Sequence, residues 1–456
     1  METVFLLRKK SSSGILRPEM GRKQKKLAAS PAFVRFLQLT LGRWLRWKFR
    51  LSNQNRHIPG TLQPPYIVIP NHVGFWDPFQ VGLPIPHPIH YVVADANFRS
   101  PVLRFLLGLV GSIPITKSMS DRDAVKLIMD VRRTGGVLCL FAEGRRTWDG
   151  RTLPVIPSTA KLIKLLKIPV LTPVLEGAYF SHPCWAVSIR RGRLNIRFEK
   201  LFDGPELRSM SAEDIHASLA SALQHDEHEW QSRHLVRFKS SRRAEMLERV
   251  LYMCDSCKTI GAMKSSGNTI HCKACGAVSE MDEYGAIIHR HAAHTTTTIA
   301  DWNDRQRSRL RDLIRQAHEH LATSAEGTAI FSDAPVRLFL GSRRKPLVKI
   351  GSGKLSMYAD RVEYLLRPKS LQRAGTTARE LISEHIVPAA TDDGNIRLIF
   401  PLPDVSGVSV QNHERLEWYF RRRLYHFRSF EDRLSGYKWY SAIHMAREFT
   451  GSIDES

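Results

Sequence analysis

The chain has 456 residues, 43% hydrophobic and 25% charged, with 68 Lys plus Arg against 44 Asp plus Glu and a formal charge of +24. That length excludes a single typical core and calls for two or three domains. The charge calls for an acidic partner, either nucleic acid or an anionic membrane surface.

Residues 1–30 are basic, aperiodic and contain Ser and Gly, which predicts a disordered arm. Residues 1–50 hold thirteen Lys or Arg and two Glu, a composition suited to binding a surface. The first charges follow a very short apolar patch, the wrong order for a secretory signal. The longest apolar stretch, residues 101–115, is broken by Arg104 and by glycines, so no conventional transmembrane helix is expected. These features predict a cytoplasmic protein, peripheral on the cytoplasmic face of a membrane.

From Phe33 to Arg50 a helical wheel gathers Phe33, Phe36, Leu37, Leu41, Trp44, Leu45 and Trp47 on one broad face, opposite Arg35, Arg43, Arg46 and Arg50. Such a helix can lie in a membrane interface or pack on its own domain. From Tyr66 to Glu199 strand-like runs (YIVI, HYVVA, GVLCLF, VLTPV) alternate with helix-like segments at 121–133 and 158–167. The alternation predicts an α/β domain with a mainly parallel sheet flanked by helices.

In the stretch Asn71-His72-Val73-Gly74-Phe75-Trp76-Asp77-Pro78 a strand ends and Asp77-Pro78 offers a helix start, Asp as N-cap and Pro at the first helical position. Ligands of open α/β sheets bind above such strand ends. A histidine there can serve as general base, with a carboxylate fixing its tautomer. One His-Asp pair alone is a weak signal. A second strand end, after GGVLCLF, carries Ala142, Glu143, Gly144, Arg145, Arg146 and Thr147, where guanidinium forks suit phosphate oxygens and glycine permits close approach of the backbone.

Together these blocks resemble the glycerolipid acyltransferase family, of the type that makes phosphatidic acid from lysophosphatidic acid. His72 and Asp77 fit its His-x4-Asp block, and Phe141 to Arg146 fit its Phe-Pro-Glu-Gly-Thr-Arg block. Gly111 to Lys117 and Ile168 to Val174 resemble the blocks between and after them, over a match of residues 33–235. Lys117 stands where Arg is usual, Gly74 where Ser is common, Ala142 for Pro and Arg145 for Thr. The resemblance implies His72 and Asp77 as the catalytic pair, without an acyl-enzyme. It implies Asn71, Lys117, Glu143, Gly144, Arg145 and Arg146 on the substrate side. The implied partners are an acyl thioester, acyl-CoA or acyl carrier protein, and a lysophospholipid. Two alternatives are a catalytically silent lipid-binding scaffold and an acyltransferase for another lysolipid, such as a lyso-ornithine lipid.

Residues 211–250 read as helical and polar. Cys254-x2-Cys257 and Cys272-x2-Cys275, separated by fourteen residues, then form two knuckles suited to one tetrahedral, structural Zn²⁺, as in a zinc ribbon. His289, His291 and His294 read as a polar linker. A nucleic-acid-binding zinc protein is disfavoured, because the basic excess sits on the N-terminal arm and no DNA-reading motif is present. A helix is expected near Ile299–Leu321. After Ala329, short runs such as VRLFL, RVEYLL, IRLIF and RLEWYF precede a helix-like stretch at 437–449. They predict a β-rich domain that loosely resembles pleckstrin-homology or GRAM-like barrels. Its Arg421-Arg422-Arg423 cluster suits lipid phosphates or a solvated edge. The expected division is an arm at 1–30, an acyltransferase domain at 31–235, a zinc ribbon at 245–290, a helical linker at 291–328 and the β-rich domain at 329–456.

Overall fold

The computed structural model describes residues 29–116, 121–290, 295–321, 327–341, 346–367, 389–390, 395–412, 414–429 and 434–451. Most of the basic arm, Lys117, His291 and His294 lie outside these residues.

Seven strands form the first sheet: β1 (Leu51–Gln54), β2 (Tyr66–Val68), β3 (Ile89–Ala94), β4 (Ile113–Ile115), β5 (Val137–Cys139), β6 (Val170–Glu176) and β7 (Leu194–Phe202). Their order is β1-β7-β6-β2-β5-β3-β4, and every neighbouring pair is parallel except β6 with β7. Both faces are buried, as parallel sheets require. Tyr66, Val68, Val137, Cys139 and Leu171 point into one core, while Ile67, Ile69, Leu138 and Val170 point into the other. The period-2 alternation of side chains thus runs through uninterrupted apolar segments, which explains why those segments show no polar alternation. The second core is closed by helices Arg122–Arg133, Pro157–Leu166 and Ala212–Leu223. Local chemistry sets several starts: Ser30 caps a helix beginning with Pro31, Ser100 one beginning with Pro101, and Ser211 with Asp214 closes a capping box.

The single amphipathic helix expected over 33–50 is two helices, Pro31–Leu39 and Leu41–Phe49. Thr40 separates them. Its Oγ1 donates to Phe36 O at 2.8 Å, the back-bond that bends helices. Leu45 and Phe49 are buried against the domain, whereas Phe36, Leu39 and Trp47 are exposed. Helix Pro101–Leu109 buries no residue and exposes Val102, Leu103, Phe105 and Leu106. Among the described residues no helix is long and apolar enough to cross a membrane.

The cysteine segment is a five-stranded antiparallel sheet of β8 (Met263–Ser266), β9 (Thr269–Cys272), β10 (Val278–Met281), β11 (Ile287–His289) and β12 (Thr296–Thr297). Helix Ile299–Leu321 follows, burying Trp302, Leu310 and Ile314. The polar helical segment expected over 211–250 ends early: after helix Glu227–His234 the chain runs without a regular helix until the short turn Leu247–Arg249.

The last sheet contains β13 (Phe331–Gly341), β14 (Val348–Met357), β15 (Arg361–Leu366), β16 (Ala389–Ala390), β17 (Ile396–Pro401), β18 (Val405–Gln411), β19 (Arg415–Phe420) and β20 (Arg423–Ser429). It is antiparallel throughout, in the order β16-β17-β15-β14-β13-β20-β19-β18. Among the described residues its edge strands β16 and β18 do not pair with each other, so the expected barrel is half closed. Helix Gly436–Phe449 packs on β18 and β19 and against helix Ile299–Leu321.

These parts share one continuous apolar core, from Leu45 and Phe49 through Trp185, Tyr252 and Trp302 to Trp439 and Ala446. A buried ion pair adds to it. Arg99 reaches Glu417 with both terminal nitrogens, Nη2 to Oε2 at 3.1 Å, and His426 Nδ1 lies 2.8 Å from Glu417 Oε1. Burial pushes the Glu417 carboxyl up, but His426 and Arg99 overcome it and hold it below the usual carboxylate range. Glu417→Ala removes the buried carboxylate that Arg99 and His426 share, so the midpoint of chemical denaturation is expected to fall by the equivalent of about 3–5 kcal/mol.

Candidate active site

The turn after β2 places His72 and Asp77 at the carboxyl end of the sheet. Asp77 is the first residue of helix Asp77–Gly82, not its cap, and Pro78 follows it. Its carboxylate turns back over the loop. Oδ2 lies 2.9 Å from His72 Nδ1 and accepts from Val73 N at 2.6 Å and Gly74 N at 2.8 Å, while Oδ1 accepts from Gly74 N at 3.0 Å. With Nδ1–H as the donor, the imidazole lone pair lies on Nε2. The ring stacks on Phe141 at 4.0 Å between centroids. His72 is 19% exposed and Asp77 2%, so the base can meet a substrate while its carboxylate cannot meet bulk water.

Gly74, at the position where the resemblance leads one to look for serine, lies against the backbone of residue 182. A Cβ there would stand 3.1 Å from His182 O. His182 has no counterpart in the motif reading. It is kept neutral, its pKa pushed down to about 4 by burial and by the charges of Arg190 and Arg146.

The Glu143 turn is tied to the His72 turn by main chain. Glu143 accepts from His72 N at 2.6 Å and from Leu153 N at 2.7 Å, and Thr147 N donates to His72 O at 3.0 Å. Gly144 sits at φ +68°, a conformation that favours glycine, and a Cβ there would press on the end of the Ile156 side chain, 2.7 Å from Cδ1. Asn71 donates to Leu175 O at 3.2 Å and accepts from Leu175 N at 2.8 Å, pinning the end of β2 to β6. The side chains of Asn71 and Glu143, expected on the substrate, are instead engaged by backbone groups, because both lie beneath the turns that carry the site. The two arginines diverge. Arg145 lies over the Tyr440 ring of the last helix, 4.2 Å from its centroid. Arg146 sits close enough to His182 and Cys184 for its charge to act on both. Among the described residues no carboxylate pairs with Arg146.

In the cysteine module Cys254 Sγ lies 3.7 Å from Cys275 Sγ, and Cys257 Sγ 3.7 Å from Cys272 Sγ. All four sulfurs lie within 4.8 Å of one another. A tetrahedron of thiolates around Zn²⁺ has sulfurs about 3.8 Å apart, so the four can hold a metal ion. His289 faces Ser279 Oγ at 2.8 Å rather than this cluster.

A buried His-Asp pair thus sits above parallel strand ends, with a glycine turn and an arginine beside it. Residues 49–176 match the Acyltransferase family model, so this stretch of the chain is an acyltransferase-type domain. The 1-acyl-sn-glycerophosphate (LPA) acyltransferase PlsC from Thermotoga maritima is similar at 15% identity over 45% of this chain and 81% of that one, with a TM-score of 0.38. The Vps36 N-terminal PH domain is similar at 16% identity over 28% of this chain and 86% of that one, with a TM-score of 0.18. No curated protein matches the chain.

Burial pushes the Glu143 carboxyl up to about 8, outweighing the two backbone donors. The folded state therefore holds this proton more tightly than the unfolded chain, whose carboxyl titrates near about 4.3. Glu143 favours the folded state below that value, and the contribution is lost as pH rises towards 8. Glu143→Gln should flatten the decline of thermal stability over that window. It should also cost about 1–3 kcal/mol below it, since the amide opposes a donor to a backbone N–H.

Proposed function

We propose that the protein transfers a fatty acyl group from a thioester, acyl-CoA or acyl carrier protein, to the free hydroxyl of a lysophospholipid, with lysophosphatidic acid as acceptor and phosphatidic acid as product. The observation that carries the reading is the 2.9 Å contact between His72 Nδ1 and the buried Asp77 carboxylate. Asp77 holds the tautomer that leaves Nε2 to take the hydroxyl proton, and it stabilises the imidazolium that results. The hydroxyl oxygen forms its bond to the thioester carbonyl carbon, the C–S bond breaks, and the proton returns from Nε2 to the departing thiolate. No covalent enzyme intermediate is required. Glu143, Asn71 and Gly144 act by holding the two turns in place. Arg146 takes the acceptor phosphate, since a half-buried guanidinium without a carboxylate partner favours an anionic ligand. Lys117 is a further cation we assign to the acceptor from the sequence motif, and Arg145 anchors the last helix.

We carry over the division proposed from the sequence, with Zn²⁺ as the structural ion of the cysteine module and a pleckstrin-homology-like C-terminal domain, and extend the ribbon to β12, which pairs with β11. The protein works peripherally on the cytoplasmic face of an anionic membrane. Exposed Phe36, Leu39 and Trp47, with Val102, Leu103, Phe105 and Leu106 of helix Pro101–Leu109, supply apolar contact, and the basic arm supplies attraction to lipid phosphates.

Purified protein should transfer acyl chains to lysophosphatidic acid in preference to lysophosphatidylcholine and a lyso-ornithine lipid. His72→Ala should lower turnover about 10²- to 10⁴-fold with the fold intact. Arg146→Ala should lower kcat/KM for lysophosphatidic acid by roughly one to two orders of magnitude, through the KM of that acceptor. Wild-type turnover in His72→Ala would favour the silent scaffold, and a preference for the lyso-ornithine lipid would reassign the acceptor. Metal analysis should find one zinc per chain, lost with Cys254→Ser, and zinc-free purified protein would remove the ribbon assignment.

A further inference from the structure

A chain of buried polar groups leads from the candidate base to the metal module. It begins at Thr147, whose backbone N–H holds His72 O and whose hydroxyl donates to Asp149 Oδ1 at 3.2 Å. Asp149 Oδ1 also accepts from Arg151 N at 3.2 Å, so its carboxylate shapes the Thr147–Arg151 turn from within. The other oxygen, Oδ2, accepts from Asn303 Nδ2 at 2.8 Å across 154 residues of sequence. Asn303 lies on helix Ile299–Leu321 and is fully buried. Its Nδ2 also donates to Tyr437 Oη at 2.9 Å, and its Oδ1 accepts from Gln306 Nε2 at 2.9 Å. Gln306, one helical turn on, donates to Val250 O at 2.7 Å and accepts from Tyr252 N at 3.1 Å and Met253 N at 3.3 Å. Trp302 Nε1 holds Met253 O at 3.0 Å, and the next residue is the metal-ligating candidate Cys254.

Such a line of amides inside an apolar core is expensive unless every member is satisfied, and when satisfied it fixes one geometry. Asn303 uses both amide protons and its oxygen, and it bonds at once to the active-site turn, the last helix and, through Gln306, the segment entering the cysteine knuckle. We propose that Asn303 is a positioning residue for His72, and that through it the metal content of the cysteine module sets the rate of acyl transfer. The proposal rests on the assignment of His72 as the base. A metal at Cys254 fixes the Tyr252–Met253 backbone, Gln306 and Asn303 carry that register along one helix face, and Asp149 delivers it to the turn that holds His72. Loss of the metal releases the first of these links. Misplacement of a reacting group by about 1 Å can cost 100-fold, so the effect falls on kcat, whereas the acceptor and thioester contacts that set KM are left in place.

The test uses the full chain in four forms: wild type, wild type stripped by a zinc chelator, and the variants Asn303→Ala and Asn303→Asp. The Asp variant keeps the volume of the side chain while removing both donors. Zinc content, kcat and KM for each substrate, and hydrogen exchange of the Thr147, Gly150 and Arg151 amides are measured. Both variants should retain one zinc per chain, exchange these three amides faster, and lose roughly 10- to 100-fold in kcat with each KM within about twofold. Chelation should speed exchange at the same three amides, and readdition of zinc should reverse it. Exchange that rises only within residues 254–275 on chelation overturns the proposal, as do zinc-replete variants with wild-type kcat. Where a variant fails to fold, the chelation arm decides. Where the wild type transfers no acyl group, the functional reading fails and the exchange arm alone decides the coupling.

Discussion

The site depends on one buried carboxylate. Asp77 receives the His72 ring nitrogen and two successive backbone N–H groups, so its charge is compensated at three points in a place water does not reach. A loop that brings three donors to one acceptor has little freedom left, and that is how a six-residue turn holds an imidazole in a single orientation. The chain reaches this arrangement by starting a helix at Asp77 with Pro78 behind it, which fixes the direction of the returning backbone. Glu143 acts on the other side of the same turn, accepting from the N–H of His72, so a carboxylate and a largely protonated carboxyl hold the two sides of the turn.

Around this turn the protein is less modular than a row of domains. Trp148 of the acyltransferase domain stacks on Tyr437 of the last helix at 5.1 Å, Arg145 lies over Tyr440, and Arg99 meets Glu417. These contacts come from segments nearly three hundred residues apart or more, and they surround the strand ends where the candidate base lies. The last helix, with Glu417 of β19, therefore packs directly against the acyltransferase domain.

Much of the site was legible in the sequence because its turns are short and local. The His-x4-Asp offset, the Pro after Asp and the Glu-Gly pair after a buried strand are all statements about neighbouring residues, and the structure brings them to adjacent strand ends. The cysteine spacing was legible for the same reason. The break at Thr40 was not, since a helical wheel contains no term for a hydroxyl bonding back to Phe36. Arg145 and Arg146 read alike in sequence and part only because Tyr440 supplies a ring for one of them. Asn71 and Glu143 carry polar side chains at a ligand-binding edge, and nothing local reveals that Leu175, Leu153 and a neighbouring N–H will claim them. His182, Asp149, Asn303 and Gln306 gave no signal, because each matters through a partner distant in the chain.

The shared apolar core has a consequence for how the protein is made. Leu45 and Phe49 belong to the same cluster as Ala442 and Ala446, about four hundred residues later. At a synthesis rate of roughly 5–20 residues per second, the early segments wait on the order of 20 to 80 seconds for their last neighbours to emerge from the ribosome. During that interval the growing chain carries uncovered apolar surface of the kind that chaperones bind. A chain that stops before helix Gly436–Phe449 leaves that surface open, so the cluster is complete only once this helix has been made.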